Sequence, residues 1–123
     1  MDIPERKDLQ GANLQGVDLI ETNLQGANLQ GANLQGAKLE EANLQEADLT
    51  EANLQGAKLE EANLEKATFQ LANLHLANFK EANLQEARNL SLYQLSRVKT
   101  LHDTKLDEEL LIQLKKKYPT LFK

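Results

Sequence analysis

The chain has no cysteine and no tryptophan, only two prolines, and aromatic residues fill just 4% of its 123 positions. Without thiols there is no disulfide framework and no thiolate metal site, and a reducing compartment is compatible. Its two histidines, His75 and His102, sit far from any metal-ligand spacing. No apolar run approaches the ~20 residues of a membrane span, and residues 1–8 lack the apolar centre of a secretory signal. A soluble, cytoplasmic protein with no membrane partner is expected. Basic stripes interleaved with stacking aromatics are missing, so direct binding of nucleic acid is not expected. Neither a nucleophile elbow, a phosphate loop nor a zinc-binding helix motif occurs. The expectation is therefore no catalytic residue, no cofactor, no metal and no enzyme.

What the chain does have is a period. Leucine or phenylalanine occupies every fifth position from Leu9 to Leu84, sixteen times in succession, with Phe69 and Phe79 as the only substitutions. From Leu14 onward the residue two places earlier is alanine, except at Val17 and Thr22. Ala, Leu, Gln and Glu are good helix formers. In a helix, however, five residues advance about 500°, so the leucines would spiral around the axis and form no buried face.

An extended chain resolves this. Residues i and i−2 share a face, so each Ala/Leu pair points inward and the residue between them, usually Asn or Asp, points outward. The last two residues of each quintet, such as Gln15-Gly16 or Glu40-Glu41, are polar or glycine and suit a bend. Each quintet reads as a three-residue strand and a corner. Three extended residues span roughly 10 Å, and a square with such sides sets opposite walls at the usual sheet spacing. Four quintets, hence twenty residues, should complete a coil, with one leucine from each wall filling the axis and leaving no cavity for a substrate.

The quintet Ala-Asn-Leu-Gln-Gly, at Ala12–Gly16, Ala27–Gly31, Ala32–Gly36 and Ala52–Gly56, resembles the pentapeptide-repeat family, whose members are especially numerous in cyanobacteria. Lys38, Lys58 and Thr68 depart from its Asn/Asp position. The resemblance implies an all-β solenoid: a right-handed quadrilateral β-helix, here of about four coils with a C-terminal α-helical cap.

The expected organisation is a lead-in over residues 1–8, the β-helix over 9–88 and a capping segment over 89–123. In that segment Ser91 and Gln94 have capping-box spacing and predict a helix over about 92–98. Thr104-Lys105-Leu106 resembles one degenerate quintet. Asp107 reads as the N-cap of a second helix, with Glu108 and Glu109 in its first turn, Lys115–Lys117 in its last and Pro119 limiting it. Leu110, Leu111, Leu114 and Tyr118 share one face of that helix.

A twenty-residue coil also assigns the outer faces. Asn13, Asn33, Asn53 and Asn73 form one column and Asn23, Asn43, Asn63 and Asn83 another, where stacked amides are expected to bond along the column. The wall of 12–16, 32–36, 52–56 and 72–76 is uncharged. The wall of 17–21, 37–41, 57–61 and 77–81 carries Asp18, Glu21, Glu40, Glu41, Glu60, Glu61 and Glu81 against Lys38, Lys58 and Lys80, seven acids to three bases. These seven acids are the candidate interaction wall. Ile20 is a lone surface residue, whereas Leu71 and Leu76 are expected to lie beneath the chain's own tail. The functional expectation is a monomeric or weakly dimeric scaffold for an unknown protein partner. The alternative is an acidic imitation of DNA, a role the resemblance brings with it, since some family members bind DNA gyrase.

Overall fold

The structure, a computed structural model describing residues 7–123, pairs the centre of each quintet with the centre of the quintet twenty residues later. Four ladders of parallel bridges result: 8–28–48–68–88, 13–33–53–73, 18–38–58–78–100 and 23–43–63–83–105. Each contact is a single-residue bridge, and among the described residues no longer strand forms. Of the three extended residues expected in each quintet, only the central one pairs as a bridge, and the other two residues form the turn as anticipated. Lys7 and Asp8 already join the ladder, through the Asn28 N–H donating to the Lys7 carbonyl at 2.8 Å and the Asp8–Asn28 bridge. Residues 1–6 of the expected lead-in lie outside the described residues.

Buried backbone groups must find partners, and Ala32–Gly36 shows how the quintet provides them. The Ala32 N–H closes a turn on Leu29 O (3.0 Å), and Asn33 N–H reaches back one coil to Ala12 O (2.9 Å). Leu34 and Gly36 N–H reach forward to Asn53 O (2.7 Å) and Gln55 O (2.9 Å). That leaves Gln35 N–H, which donates to the side-chain Oδ1 of Asn33 at 3.1 Å. This last bond explains the central Asn/Asp: a short side-chain acceptor satisfies the amide two residues on. It recurs from Asp8 to Asn83. The expected amide columns are a minor feature by comparison. Asn43 donates to Asn23 at 3.3 Å and Asn83 to Asn63 at 3.4 Å, but the column from Asn13 to Asn73 shows no such bond. Where Lys38, Lys58 and Thr68 replace Asn, the N–H groups of Glu40, Glu60 and Gln70 have no acceptor among the described residues.

The corner is a turn from Leu through the two polar residues to the next Ala. Its third residue has positive φ, as a type II turn demands. Every fifth-position residue from Gly11 to Glu86 obeys this, with φ between +58° and +68°. Glycine does so freely, yet Glu, Lys and Leu occupy most of these corners. Inside, the leucines from Leu24 to Leu84, Phe69, Phe79 and their alanine partners form one continuous buried column, with Leu34 and Leu54 fully enclosed. Leu9, Leu14 and Leu19, in the first coil, are only partly covered.

After Arg88 the pattern breaks. Helix α1 (Leu92–Ser96) carries the expected capping box and buries Leu95. The chain then rejoins the stack for two quintets, bridging at Thr100 and Lys105 with an offset of twenty-two residues. Leu101 and Leu106 extend the core, and the buried Thr104 hydroxyl donates to Phe79 O at 2.7 Å. Helix α2 (Glu108–Lys117) buries Leu114 against this layer, and a 3-10 turn, Pro119–Phe122, follows. Asp107 stands at the N-cap of α2 but does not cap it; its carboxylate accepts the Glu86 N–H of the last coil at 2.9 Å. Two expectations need correction. Leu71 and Leu76 are not covered by the tail, being 74% and 52% exposed. The axis is solid, yet a groove of about 690 Å³ opens between α1 and the last coil.

Two substitutions test this bond pattern. Gly31→Ala meets nothing within 4 Å, so its whole effect comes from φ of +65°; a loss of about 1 kcal/mol is expected. Lys58→Asn supplies the acceptor that the Glu60 N–H lacks and should add about 1 kcal/mol. Denaturant titration of both variants checks the signs.

Candidate functional site

The seven acids named from the sequence stack as the register requires. Asp18 lies in the ladder 18–38–58–78 and is followed by Lys at the next two levels. Glu40 and Glu60 are successive levels of the turn beside it, and Glu21, Glu41, Glu61 and Glu81 form the corner edge. The backbone ties the edge together: Glu21 N–H donates to Glu40 O, Glu41 N–H to Glu60 O (both 2.9 Å) and Glu61 N–H to Lys80 O (3.0 Å).

This corner differs from the other three. Those hold glycine at one or more levels: Gly11 and Gly31, Gly16, Gly36 and Gly56, and Gly26. The acidic corner repeats one charged residue at all four levels, each in left-handed backbone with φ of +58° to +60°. That conformation costs an L-residue roughly 1–2 kcal/mol. Like charges at strand spacing add repulsion, and at Glu41 the result is visible. Hydrogen bonding to the Glu61 and Glu21 carboxyls, followed by their charge, raises its pKa above the ordinary carboxylate range. Glu41 is therefore protonated more readily than an isolated carboxylate.

Neutralisation within the wall is weak. Among the described residues the ion pairs are Lys66–Glu86 at 3.9 Å and His102–Asp103 at 3.2 Å, and neither involves Lys38, Lys58 or Lys80. One carboxylate oxygen each of Glu40 and Glu60 is buried without a hydrogen-bond partner among the described residues. No group of His, Asp and Glu there is arranged to hold a metal ion. No described helix is long and apolar enough to cross a membrane. His75 lies on the uncharged wall and lines the groove beside α1, while His102 is in the tail, its Nδ1 3.3 Å from Phe122 O. The groove is the feature that sequence reading missed, and its one signal was Leu71, apolar at a position otherwise mostly glycine or charged.

Because the folded state raises the Glu41 pKa, folding carries a penalty that is complete above that folded value. It is relieved as pH falls through the folded value and is gone below the unfolded one. Glu41→Gln should therefore be more stable than the parent at neutral pH, and the gap should close on acidification. Thermal melts of both proteins across that window measure it; a gap independent of pH would refute proton sharing along the edge.

Comparison with known proteins agrees with the geometry. The pentapeptide-repeat pattern matches in eight copies across residues 8–46, 27–65 and 57–88. Among solved structures, a pentapeptide repeat protein from the Arabidopsis thaliana thylakoid lumen is 30% identical with a TM-score of 0.57, over 91% of this chain and 77% of that one. A pentapeptide repeat protein from Nostoc is 30% identical over 83% of this chain and 86% of its own, with a TM-score of 0.48. QnrB1, a plasmid-mediated fluoroquinolone resistance protein, shares the fold at 23% identity and a TM-score of 0.58; the match covers 91% of this chain but only 63% of QnrB1. No curated protein matches the sequence. The family match, with the Arabidopsis and QnrB1 structures, implies a right-handed quadrilateral β-helix, and no catalytic family is indicated. The chain belongs to the pentapeptide-repeat family.

Proposed function

We propose that the protein is a non-enzymatic interaction scaffold whose contacting surface is the acidic wall of Asp18, Glu21, Glu40, Glu41, Glu60, Glu61 and Glu81, and whose partner presents a basic protein surface. One observation carries this reading: a corner that repeats glutamate at four levels, in a backbone conformation glycine would adopt freely, without ion pairs among the described residues to neutralise it. Strain and repulsion retained together at one edge point to a use for that edge. A solid prism has no interior in which to run chemistry, so its walls are the surfaces available for recognition.

A second reading has support from the same edge. Regularly spaced carboxylates can stand in for a phosphate backbone and occupy the DNA site of an enzyme such as DNA gyrase. The likeness to QnrB1 extends to fold alone, and this chain spans less than two-thirds of that protein. Levels about 4.8 Å apart give an acidic edge near 14 Å from Glu21 to Glu81, short for a duplex mimic. The scaffold reading is therefore preferred.

The tail completes the proposal. In this reading the quintets build about four coils, and residues 89–123 cap their C-terminal end. The cap keeps an exposed edge from pairing with other chains.

The double reversal Glu41→Lys with Glu61→Lys should weaken capture of the partner from native extract at least roughly tenfold and make the remainder insensitive to salt. Unchanged capture would move the contact to another wall. Gyrase supercoiling with excess protein should proceed uninhibited; inhibition competed by duplex DNA would install the decoy in its place. Truncation after Asn89 should yield concentration-dependent association in light scattering, and a monodisperse folded monomer would remove the cap.

A further inference from the structure

Five large apolar side chains are exposed among the described residues: Ile20, Leu71, Leu76, Tyr93 and Ile112. Three of them gather at the C-terminal end of the uncharged wall. Leu71 and Leu76 are the corner residues on either side of its last level, Asn73. Tyr93, in α1, lines the groove of about 690 Å³ together with Leu71 and Arg97, and the Arg97 carbonyl accepts the Leu76 N–H at 2.8 Å. Leu71, Leu76 and Tyr93 are 74%, 52% and 73% exposed, so neither the stack nor the tail covers this patch.

The rest of the wall is flat and neutral. Its outward residues are asparagines and glutamines, with His75 at the last level. One bounding corner runs Gly11, Gly31, Glu51, Leu71 and the other Gly16, Gly36, Gly56, Leu76. A Cβ at any of these five glycines would meet nothing within 4 Å, so both edges are open to close approach. Each of the other walls carries carboxylates: Asp8 and Asp48 on one, Glu65 and Glu86 on another, and the acidic wall on the third. Two copies of a chain of net charge −5 repel each other, and least where the facing surfaces bear no carboxylate. A basic partner gains most on the acidic wall. For a second copy, neutrality is a condition of contact.

Geometry then selects the pairing. Facing walls of two copies are related by a two-fold axis either across the solenoid or along it. The axis across it inverts one copy, so each corner meets itself in reverse order. Leu71 then lies opposite the partner's Gly11 and Leu76 opposite the partner's Gly16, and both leucines stay exposed. The axis along the solenoid keeps the copies parallel and sets each corner against the other one. Leu71 then meets the partner's Leu76 at the same level on both seams, and Glu51 meets the partner's Gly56 instead of another carboxylate.

We propose that the uncharged wall is the interface of a parallel two-fold dimer of this chain, closed by Leu71 of each copy against Leu76 of the other, with Tyr93 at its C-terminal end. The face is roughly 10 Å wide and about 20 Å tall with α1 included. It therefore buries well under the about 800 Å² per partner of a stable interface, and the dimer is weak, with a Kd on the order of 100 μM to 1 mM. The acidic edge stays free, and the proposal does not depend on the use given to that edge.

Sedimentation equilibrium of the full chain between roughly 10 μM and roughly 1 mM is the test. The average mass should rise from 13.8 kDa toward twice that value. Leu71→Glu and Leu76→Lys should each weaken self-association at least roughly tenfold. Glu51 and Lys66 hold the same left-handed backbone, with φ of +59° and +62°, so both substitutions suit their corners. An equimolar mixture of the two variants should associate to within about threefold of the parent, because one seam joins the new carboxylate to the new ammonium and the other keeps leucine against leucine. Should either variant fail to fold, amide resonances of the parent decide: on concentration those of Asn33, Asn53 and Leu76 should move while those of Asn43 and Asn63, on the opposite wall, stay in place. A parent that is monomeric at about 1 mM or grows past the dimer, a folded variant that associates as the parent does, a mixture that gains nothing over its components, or shifts confined to another wall would each overturn the proposal.

Discussion

The left-handed residue at every corner is the constraint on which the molecule rests. It closes the turn that carries the chain from one wall to the next. It thereby keeps the leucines facing the axis and holds the forward N–H groups in line with the coil above. A right-handed residue at any one corner would redirect the following quintet and misalign every ladder beyond it. The ladders themselves are thin, one bridge per wall per coil, so cohesion depends on all four walls repeating the same geometry. The central Asn or Asp is part of this arrangement, because its carboxyl or amide oxygen satisfies the one amide that neither the turn nor the neighbouring coil can reach.

Much of this was legible in the residues. A five-residue leucine period is incompatible with a helical face, and the Ala/Leu spacing of two places both side chains inward. From there the twenty-residue coil follows by geometry, and with it the stacking of Glu21, Glu41, Glu61 and Glu81. Other features were hidden for identifiable reasons. That Glu46, Lys66 and Leu71 share the backbone of Gly31 cannot be read from residue type, because helix-forming side chains do not advertise positive φ. The quintet Lys99–Asp103 escaped notice because α1 inserts two residues into the frame, so Leu101 falls off the period that leads to Leu84. Asp107 has an N-cap's position and a tether's role, a distinction made only by the Glu86 N–H lying within reach. Leu71 and Leu76 stood out in sequence as apolar corners, but their exposure depends on where α1 sits, which no local pattern determines.

The division between axis and edge limits the chemistry available. Aliphatic and phenyl side chains fill the axis, and the carboxyls of the acidic wall lie outside it. The carboxylates meet one another at the surface instead. Their mutual influence shows at Glu41, whose pKa the Glu61 and Glu21 carboxyls raise. Such a surface can attract, orient and exclude charged partners, and salt will modulate all three effects. Recognition on this molecule is consequently a matter of matching a repeat distance along a wall, with side-chain identity at each level setting the sign.

The tail shows what happens when that repeat is deliberately left incomplete. A fifth quintet on every wall would have produced another full edge, ready to template a further coil. Here one wall is diverted into α1 while the other three continue, so the stack ends unevenly. Gln94 answers the carbonyls of Phe69 and Ala72 with a single side-chain amide, but an amide nitrogen cannot accept; the Leu76 N–H finds the Arg97 carbonyl at 2.8 Å, while the Leu71 and Leu74 N–H groups have no acceptor among the described residues. The asymmetry follows from the choice of glutamine. Its oxygen is already committed to the Ser91 N–H at 2.8 Å in the capping box, so helix capping and ladder completion compete for one side chain. The helix start wins that competition, and the unfinished ladder is its structural consequence.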